Sequence, residues 1–503
     1  MAITRKGSSS MQKIPSGYVT LAGAGPGDPD LITLKAKRAI QKADVILYDY
    51  LVHPNLLNDA KPDALVICVG KRKGYHSKKQ DEINQLMKEY AEAGNNVLRL
   101  KGGDPCLFGR SGEEMSFLKA HNIPYRLIPG VTSALAVPAY AGIPVTHRDY
   151  AKSVAIITAS SKEGETLNDI HIPDAETLVF LMPMTPLADL CKRLSTHAKF
   201  TENTPAALLY RGTTADQKTL IGTLKNLPEL RDQNAITPPA ILVVGPVAKL
   251  AQELNWRDRL ALFGQRIILL RTQEQSEKTI EMGTDLGAEI IAIPLLKIQP
   301  NTQENNAFPL SKLQAADTLI FTSANGVVEF KKWLFKHRQD TRITTKKIII
   351  AIGPKTEEAL ADIGLIADKT PNKTKTSDDI LDLFDIDLHK KNILLLTASG
   401  SRDVLETELQ NRGATVTRFE LYTTIPTTLP QSIDIRDGDW VFFTSASTVT
   451  HFFASNLYQN QKIKPVCIGI ITQTALQEKF AGKVYLSAET TLESMFDAVR
   501  KST

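Results

Sequence analysis

The stretch L-R-L-K-G-G-D-P-C-L-F-G-R-S-G-E-E, residues Leu98–Glu114, constrains the rest of the chain more than any other. An apolar-alternating segment ends at Leu100. Gly102 and Gly103 follow, residues whose missing Cβ lets a backbone turn sharply and lie close to a ligand. Asp104 comes next, with Pro105 fixing the chain directly behind it. Gly109 and Gly112 bracket Arg110, and Glu113 and Glu114 stand where a new helix would begin. The pattern predicts a strand, a ligand loop and a helix start. Gly, Asp and Pro also make ordinary surface turns, so the choice falls to the remainder of the chain.

Toward the N-terminus the same arrangement recurs. Tyr18–Ala22 predicts a short strand leading into G-A-G-P-G-D-P (residues 23–29), with helical spacing over Leu31–Gln41 and a second strand, Val45–Tyr48, ending at Asp49. A glycine-rich loop followed roughly 20 positions later by an acid is the outline of a dinucleotide fingerprint. The chemistry opposes that reading. A pyrophosphate needs free backbone N–H groups and no adjacent negative charge, whereas Pro26 removes an N–H and Asp28 adds a carboxylate. Acidic loops suit a ligand bearing ammonium, sulfonium or ribose hydroxyls, and Asp104 has the same character as Asp28. The same half holds a basic set, Lys71, Arg72, Lys73 and His76, then Arg99, Lys101, Arg110, His147 and Arg148. Several fall at the ends of predicted strands, where open α/β sheets place their ligand crevice. An anionic second ligand is expected.

With 503 residues, the chain exceeds what one core supports and predicts several domains. Hydrophobic content of 42% and charge of 23% are those of a soluble globular protein. A net charge of +5 separates no class of anionic partner from another, so the position of the charge matters more than its sum. The four cysteines form no C-x-x-C pair and no metal-ligand spacing. Reduced thiols in a cytoplasmic protein without a metal are therefore expected. Residues 1–16 show no apolar signal-peptide core and are expected to be a flexible N-terminus, and no apolar run is long enough to span a bilayer. Neither nucleic acid nor a membrane is an expected partner.

Six segments together resemble uroporphyrinogen-III C-methyltransferase, of the tetrapyrrole methylase superfamily. They are G-A-G-P-G-D-P-D-L-I-T-L-K-A (23–36), V-I-L-Y-D-Y-L-V (45–52), V-G-K-R-K-G-Y-H (69–76), the R-L-K-G-G-D-P-C-L-F-G-R-S-G-E-E run (99–114), I-P-G-V-T-S (128–133) and A-G-I-P-V-T-H-R-D-Y-A (141–151). The resemblance covers about Tyr18–Leu250. It implies a two-lobed α/β methylase fold, S-adenosylmethionine as methyl donor, and uroporphyrinogen III, an octacarboxylate, as acceptor, which suits both charge patterns. It assigns donor contacts to Pro26, Gly102, Gly103, Asp104, Leu107, Thr132, Ser133, Met182, Gly212 and Ala240. It makes Asp49 the proton acceptor and Lys71 the proton donor, a role that the neighbouring Arg72 and Lys73 favour by disfavouring its charged form. Arg72, His76, Arg110, His147 and Arg148 are the candidate contacts to substrate carboxylates. Homodimerisation through this half is also implied. One departure is visible: Pro183 follows Met182 where the family has glycine.

Beyond a short joint, Asn255–Phe263, β-rich segments alternate with helical ones: Arg266–Leu270, Glu289–Ile293, Thr318–Thr322, Lys347–Ile352, Asn392–Thr397, Trp440–Thr444 and Val466–Ile471. This is the alternation of a parallel-sheet α/β protein. An internal repeat relates Thr318–Phe330 to Trp440–Phe452, each with small hydroxyl residues where a strand meets a helix N-terminus. Such places accept carboxylates through free N–H groups, and equally they make plain helix caps.

Residues R-I-I-L-L-R-T, F-T-S-A-N-G-V, A-I-G-P-K-T and F-E-L-Y-T-T give this half a resemblance to uroporphyrinogen-III synthase over about Phe263–Val499. It implies two α/β lobes, the first (about 262–299 and 425–503) interrupted by the second (about 300–424), and cyclisation of hydroxymethylbilane with inversion of the last ring. Tyr422 matches the tyrosine that assists loss of water. Ser323, Ala324, Ser399, Ser445 and Thr472 fall where the family binds acetate and propionate side chains, and Arg271 adds charge. The reading is a methyltransferase over 17–255 fused to a synthase over 262–503, making uroporphyrinogen III and methylating it twice to precorrin-2 for sirohaem or cobalamin. Its rival is a methylase of a later corrin intermediate joined to a non-catalytic tetrapyrrole-binding sensor or scaffold.

Overall fold

In the computed structural model, the described residues are 17–70, 78–159, 169–271, 273–301, 310–371, 390–401, 403–427 and 433–503. The first sheet is built from β1 (Tyr18–Gly23), β2 (Val45–Tyr48), β3 (Leu65–Cys68), β4 (Asn96–Lys101) and β5 (Tyr125–Ile128). Its order is β3-β2-β4-β1-β5 and every pair is parallel. The sequence of β2, V-I-L-Y, is buried throughout. Continuous apolar runs of that kind belong to parallel strands covered on both faces. Register sets Gly23 of β1 beside Lys101 of β4, so the two glycine loops leave adjacent strands side by side at their carboxyl ends. The helix expected from Leu31 starts at Leu34, because Asp28 caps a separate turn at Pro29–Leu31 and Thr33 then caps the helix through its hydroxyl.

The second sheet contains β6 (Val154–Thr158), β7 (Thr177–Leu181), β8 (Pro205–Tyr210), β9 (Lys218–Thr223) and β10 (Ala240–Val244), in the order β6-β7-β10-β8-β9. Only β6 and β7 run parallel. Ala240 pairs with Tyr210, and Ile241 with Leu181. Met182, Gly212 and Ala240 therefore share one end of this sheet, although they are far apart in sequence.

The second half contributes β11 (Arg266–Leu269), β12 (Glu289–Ala292), β13 (Leu296–Pro300), β14 (Thr318–Phe321), β15 (Ile348–Ala351), β16 (Asn392–Ala398), β17 (Thr415–Pro426), β18 (Trp440–Phe443), β19 (Lys464–Cys467) and β20 (Tyr485–Leu486). β12-β11-β18-β19-β20 form a parallel sheet, interrupted in sequence by a sheet of order β13-β17-β16-β14-β15 in which only β13 runs antiparallel. The repeat detected in the sequence is one strand–cap–helix unit used twice. Ser323 and Ser445 both have extended backbone, and each hydroxyl accepts the N–H three residues on, from Gly326 and Thr448.

The chain divides into two compact units, one running to Leu295 and resuming with Thr428–Thr503, the other Leu296–Thr427. The first unit thus runs straight through the joint near Phe263. Trp256 donates its indole N–H to the Ala139 carbonyl (3.1 Å), Arg257 lies buried over the Tyr140 ring, and Leu262 packs with Ile267 and Trp440. Apolar and polar contacts on both sides make the joint part of a packed body. Among the described residues no helix is long and apolar enough to cross a membrane.

Candidate active sites

The glycines of the opening stretch are fixed by backbone packing. Gly103 donates to the Gly25 carbonyl (2.7 Å), joining the two loops. A Cβ on Gly130 would lie 2.3 Å from the Gly103 oxygen and 2.7 Å from the Gly23 Cα, and one on Gly23 would lie 2.5 Å from the Gly103 oxygen and 2.6 Å from the Gly130 Cα. Three loops from different strands therefore touch backbone to backbone, a contact only glycine permits. Gly102 differs: its missing side chain would meet nothing closer than the Leu51 Cβ at 3.9 Å. Its Cα opens onto a cavity of about 1140 Å³.

That cavity lies wholly in the first unit, and Pro26, Gly102, Gly103, Leu107, Ser133, Met182, Gly212 and Ala240 all line it. Asp49 and Arg110 do as well. The left-handed conformation at this edge falls on Met182 (φ +56°), one residue before Pro183. Gly212 is required because a Cβ would sit 2.3 Å from a Val137 methyl. Thr132 and Asp104 are not in the lining. The Thr132 hydroxyl caps the helix Ser133–Tyr140 by accepting from the Ala134 N–H.

The two acids read as ligand acceptors are turned to the protein itself. One oxygen of Asp104 accepts from the Cys106 and Leu107 amides (2.8 and 3.2 Å), and the other from the Gly130 amide (2.9 Å). Asp28 is buried. Its carboxylate accepts from the Asp30 amide and from the Tyr140 hydroxyl at 2.9 Å, and burial beside it pushes the Tyr140 phenol well above its ordinary value. Both carboxylates shape the loops around the cavity.

A buried ion network stands behind Asp49. Arg99 donates to Asp49 (2.5 Å) and to Glu114 (3.2 Å), and Lys101 donates to both oxygens of Glu114 at 2.9 Å. Arg99, Lys101 and Glu114 are 3%, 4% and 0% exposed, so each of these charges depends on its neighbours for compensation. Burial, then the like charge of Arg99, pulls the Lys101 ammonium below the ordinary lysine value. Arg99 and Lys101 are two residues apart on one strand and so share a face. That spacing signals the pair in the sequence, whereas Glu114 gives no sign beyond a helix start.

The remaining assignments scatter. Arg110 has φ +59° and pairs with Glu113 at 2.6 and 2.9 Å. His147 closes a tight bridge with Ala151, and Arg148 is exposed; neither lines the cavity. Lys71, Arg72 and His76 lie outside the described residues.

The second unit holds its own cluster. Tyr422 is 5% exposed, and its hydroxyl lies 3.0 Å from the Ser323 Oγ. Its carbonyl accepts from the Ser399 amide (2.8 Å), and Asn301 donates to the Ser399 hydroxyl (2.8 Å). β16 shifts register at Thr397/Ala398, where it faces Tyr422. Tyr422, within β17, thus stands beside the end of β16, with Ser399 just past that end and Ser323 and Ala324 just past the end of the neighbouring β14. Ser445, Thr472 and Arg271 belong to the first unit. Ser445 caps Ala446–Ala454, Thr472 is buried in Ile470–Gln477, and burial pulls the Arg271 guanidinium down.

Residues 18–228 match the family of Tetrapyrrole (Corrin/Porphyrin) Methylases, and residues 277–497 match Uroporphyrinogen-III synthase HemD. A uroporphyrinogen-III C-methyltransferase from Methanocaldococcus jannaschii is 49% identical over 47% of this chain and 98% of its own length. A sirohaem synthase from Pseudomonas aeruginosa is 48% identical over 48% of this chain and 52% of its own, so the chain spans about half of that enzyme. The porphyrin biosynthesis protein HemD of Ruminiclostridium josui is similar from end to end, 34% identical over 96% of this chain and 97% of its own. The chain accordingly belongs to the family in which a tetrapyrrole methylase is fused to a uroporphyrinogen-III synthase.

Proposed function

We propose that this bifunctional tetrapyrrole enzyme closes hydroxymethylbilane to uroporphyrinogen III with residues 262–503, and that residues 17–255 then methylate the product twice with S-adenosylmethionine to give precorrin-2. The observation that supports the methylase half is the convergence of eight of the ten donor-assigned positions on one cavity beside Asp49. The volume and the open Cα of Gly102 suit a donor lying against bare backbone. In each methylation a pyrrole carbon attacks the donor methyl, the S–CH₃ bond breaks, and a proton later leaves the macrocycle. Asp49 accepts that proton, and Arg99 orients its carboxylate. Glu114 holds Arg99 in turn and offsets its charge.

In the synthase half, the tetrapyrrole carboxylates would rest on amides at capped helix starts. The buried Tyr422 hydroxyl, bonded to Ser323, donates to the departing hydroxide. The rest of that reaction is positioning. Supplying hydroxymethylbilane with and without S-adenosylmethionine tests the reading. Type III uroporphyrinogen is expected without donor and a dimethylated product with it. Type I isomer alone, or no methyl transfer, overturns the corresponding half.

A further inference from the structure

The connection between β8 and β9, Arg211–Gln217, carries Gly212 and borders the cavity through Arg211, Gly212, Thr214 and Asp216. Its backbone is costly to hold: Arg211 and Thr213, neither of them glycine, have φ of +41° and +71°. The methylase half secures one side, where the Asp28 amide donates to the Thr213 hydroxyl at 2.9 Å. Residues that resemble the synthase secure the other side. The Glu289 carboxylate accepts from the Ala215 amide at 2.8 Å, and Arg436 donates to Asp216 at 3.0 Å, sharing that carboxylate with Arg211. Arg436 is itself seated by its amide on Asp439, which Arg266 also holds.

The strand that bears Glu289 also reaches the loop after Asp49. β12 is an edge strand, and its free groups are met by side chains from Pro54–Asp59. Asn55 donates to the Ile290 carbonyl (2.8 Å) and accepts from the Ala292 amide (2.9 Å), while Asn58 donates to the Ala292 carbonyl (2.9 Å). An asparagine making both bonds stands in for a neighbouring strand. Ile291 and Arg436 then complete the cavity wall.

We propose that β12 and Arg436 of the synthase half are part of the methylase site, with Glu289 and Arg436 as positioning residues that hold the donor loop in its left-handed form. Methyl-donor affinity in this fused chain then depends on the synthase half. The proposal rests on the reading of Gly212 as a donor contact. It gives the fusion a physical consequence, since the first unit folds both partners into one body. Binding and positioning are reciprocal, so a donor that orders the loop also steadies β12.

The test uses the full chain and S-adenosylhomocysteine as calorimetric probe. Glu289→Ala is expected to weaken binding about tenfold and Arg436→Ala about threefold, while Glu289→Gln, which keeps an oxygen for the Ala215 amide, stays within threefold. KM for S-adenosylmethionine should rise with kcat retained, and type III isomer formation should change less than twofold. A merely destabilised fold would instead lower both activities at unchanged KM. Gly102→Val separates the two levels of the claim, since its side chain enters the cavity itself. If Gly102→Val abolishes binding but Glu289→Ala and Arg436→Ala bind as wild type, the clamp is wrong. If Gly102→Val also binds normally, the donor site is misplaced.

Discussion

The methylase cavity and the Tyr422 cluster, both proposed to present backbone amides and carbonyls to a ligand, place opposite demands on sequence. Around the cavity, backbones touch. A Cβ on Gly130 would lie 2.3 Å from a carbonyl oxygen, and no other residue can replace the glycine without moving a loop. In the second unit, a strand ends at a helix cap, a task that Ser, Thr, Asp, Asn or Gly can perform. There a Cβ on Gly326 would meet only the Ser323 hydroxyl at 3.2 Å and the Leu396 oxygen at 3.8 Å. The difference teaches why one half of the chain is written in rigid motifs and the other in loose ones. Close backbone contact dictates residue identity, whereas capping dictates only a residue class.

The sharpest way to break this comparison is a matched pair of glycine substitutions. Gly130→Ala must separate three packed loops; overpacking of this kind costs about 1–3 kcal/mol. With the loop displaced, S-adenosylhomocysteine affinity should fall at least ~100-fold, about 2.7 kcal/mol. Gly326→Ala asks only that a hydroxyl shift, so type III isomer formation should stay within about threefold, the capped start being otherwise intact. Calorimetry on the first and an isomer-resolved assay on the second decide the matter. Equal tolerance at both positions would remove the contrast.

A smaller effect is expected at Asp104, and its origin differs from a direct donor contact. Asparagine keeps one acceptor oxygen, so Asp104→Asn must give up either the Gly130 amide or the pair at Cys106 and Leu107. Leaving an amide unmet costs about 1–3 kcal/mol. Donor affinity should fall roughly ten- to a hundredfold on the same scale, and the ligand-free protein should unfold earlier in a thermal scan. An affinity loss with unchanged ligand-free melting would instead return Asp104 to direct contact with the donor.

These acids also show where reading the sequence stops. The strand ends, the paired glycine loops and the interrupted second half follow from periodicity, glycine placement and resemblance. The roles of Asp28 and Asp104 do not, because what turns each carboxylate inward lies far along the chain: Tyr140 for Asp28 and Gly130 for Asp104. Glu114 reads as an acid in the first turn of a helix, and only the fold sets it between Arg99 and Lys101. The largely antiparallel course of the second sheet is not written in Met182, Gly212 and Ala240, the family-matched residues at its end. Its central strand β10 is a buried apolar run, A-I-L-V-V, whose direction depends on neighbours. Asp216, Glu289 and Arg436 look like solvated charges until β12 meets the methylase loops.

Within the second unit, Tyr422→Phe should reduce type III formation about tenfold, near 1.4 kcal/mol, because it removes one hydroxyl donor while the amides remain. The ring stays packed, and methylation of supplied uroporphyrinogen III should be unchanged. A drop in both activities would point to a folding defect, and no drop would take Tyr422 out of the reaction.

The smallest effect is expected at Ser445, and it tests the capping half of the comparison most directly. The Ser445 hydroxyl accepts from the Thr448 amide (3.2 Å), and the Thr448 hydroxyl accepts from the Ser445 amide (3.3 Å), a reciprocal box that starts Ala446–Ala454. Ser445→Ala removes one of these bonds and leaves the other, so the helix start should persist. Loss of such a cap costs about 0.5–2 kcal/mol of stability. If the substrate meets backbone amides here, the alanine variant should melt a few degrees lower yet form type III isomer within about twofold of wild type, a difference under ~0.5 kcal/mol. A tenfold loss of activity with little change in melting would mean that the hydroxyl itself holds the substrate. Identity, and not residue class, would then matter in the synthase half too, and the contrast drawn with the methylase cavity would fail at its weaker end.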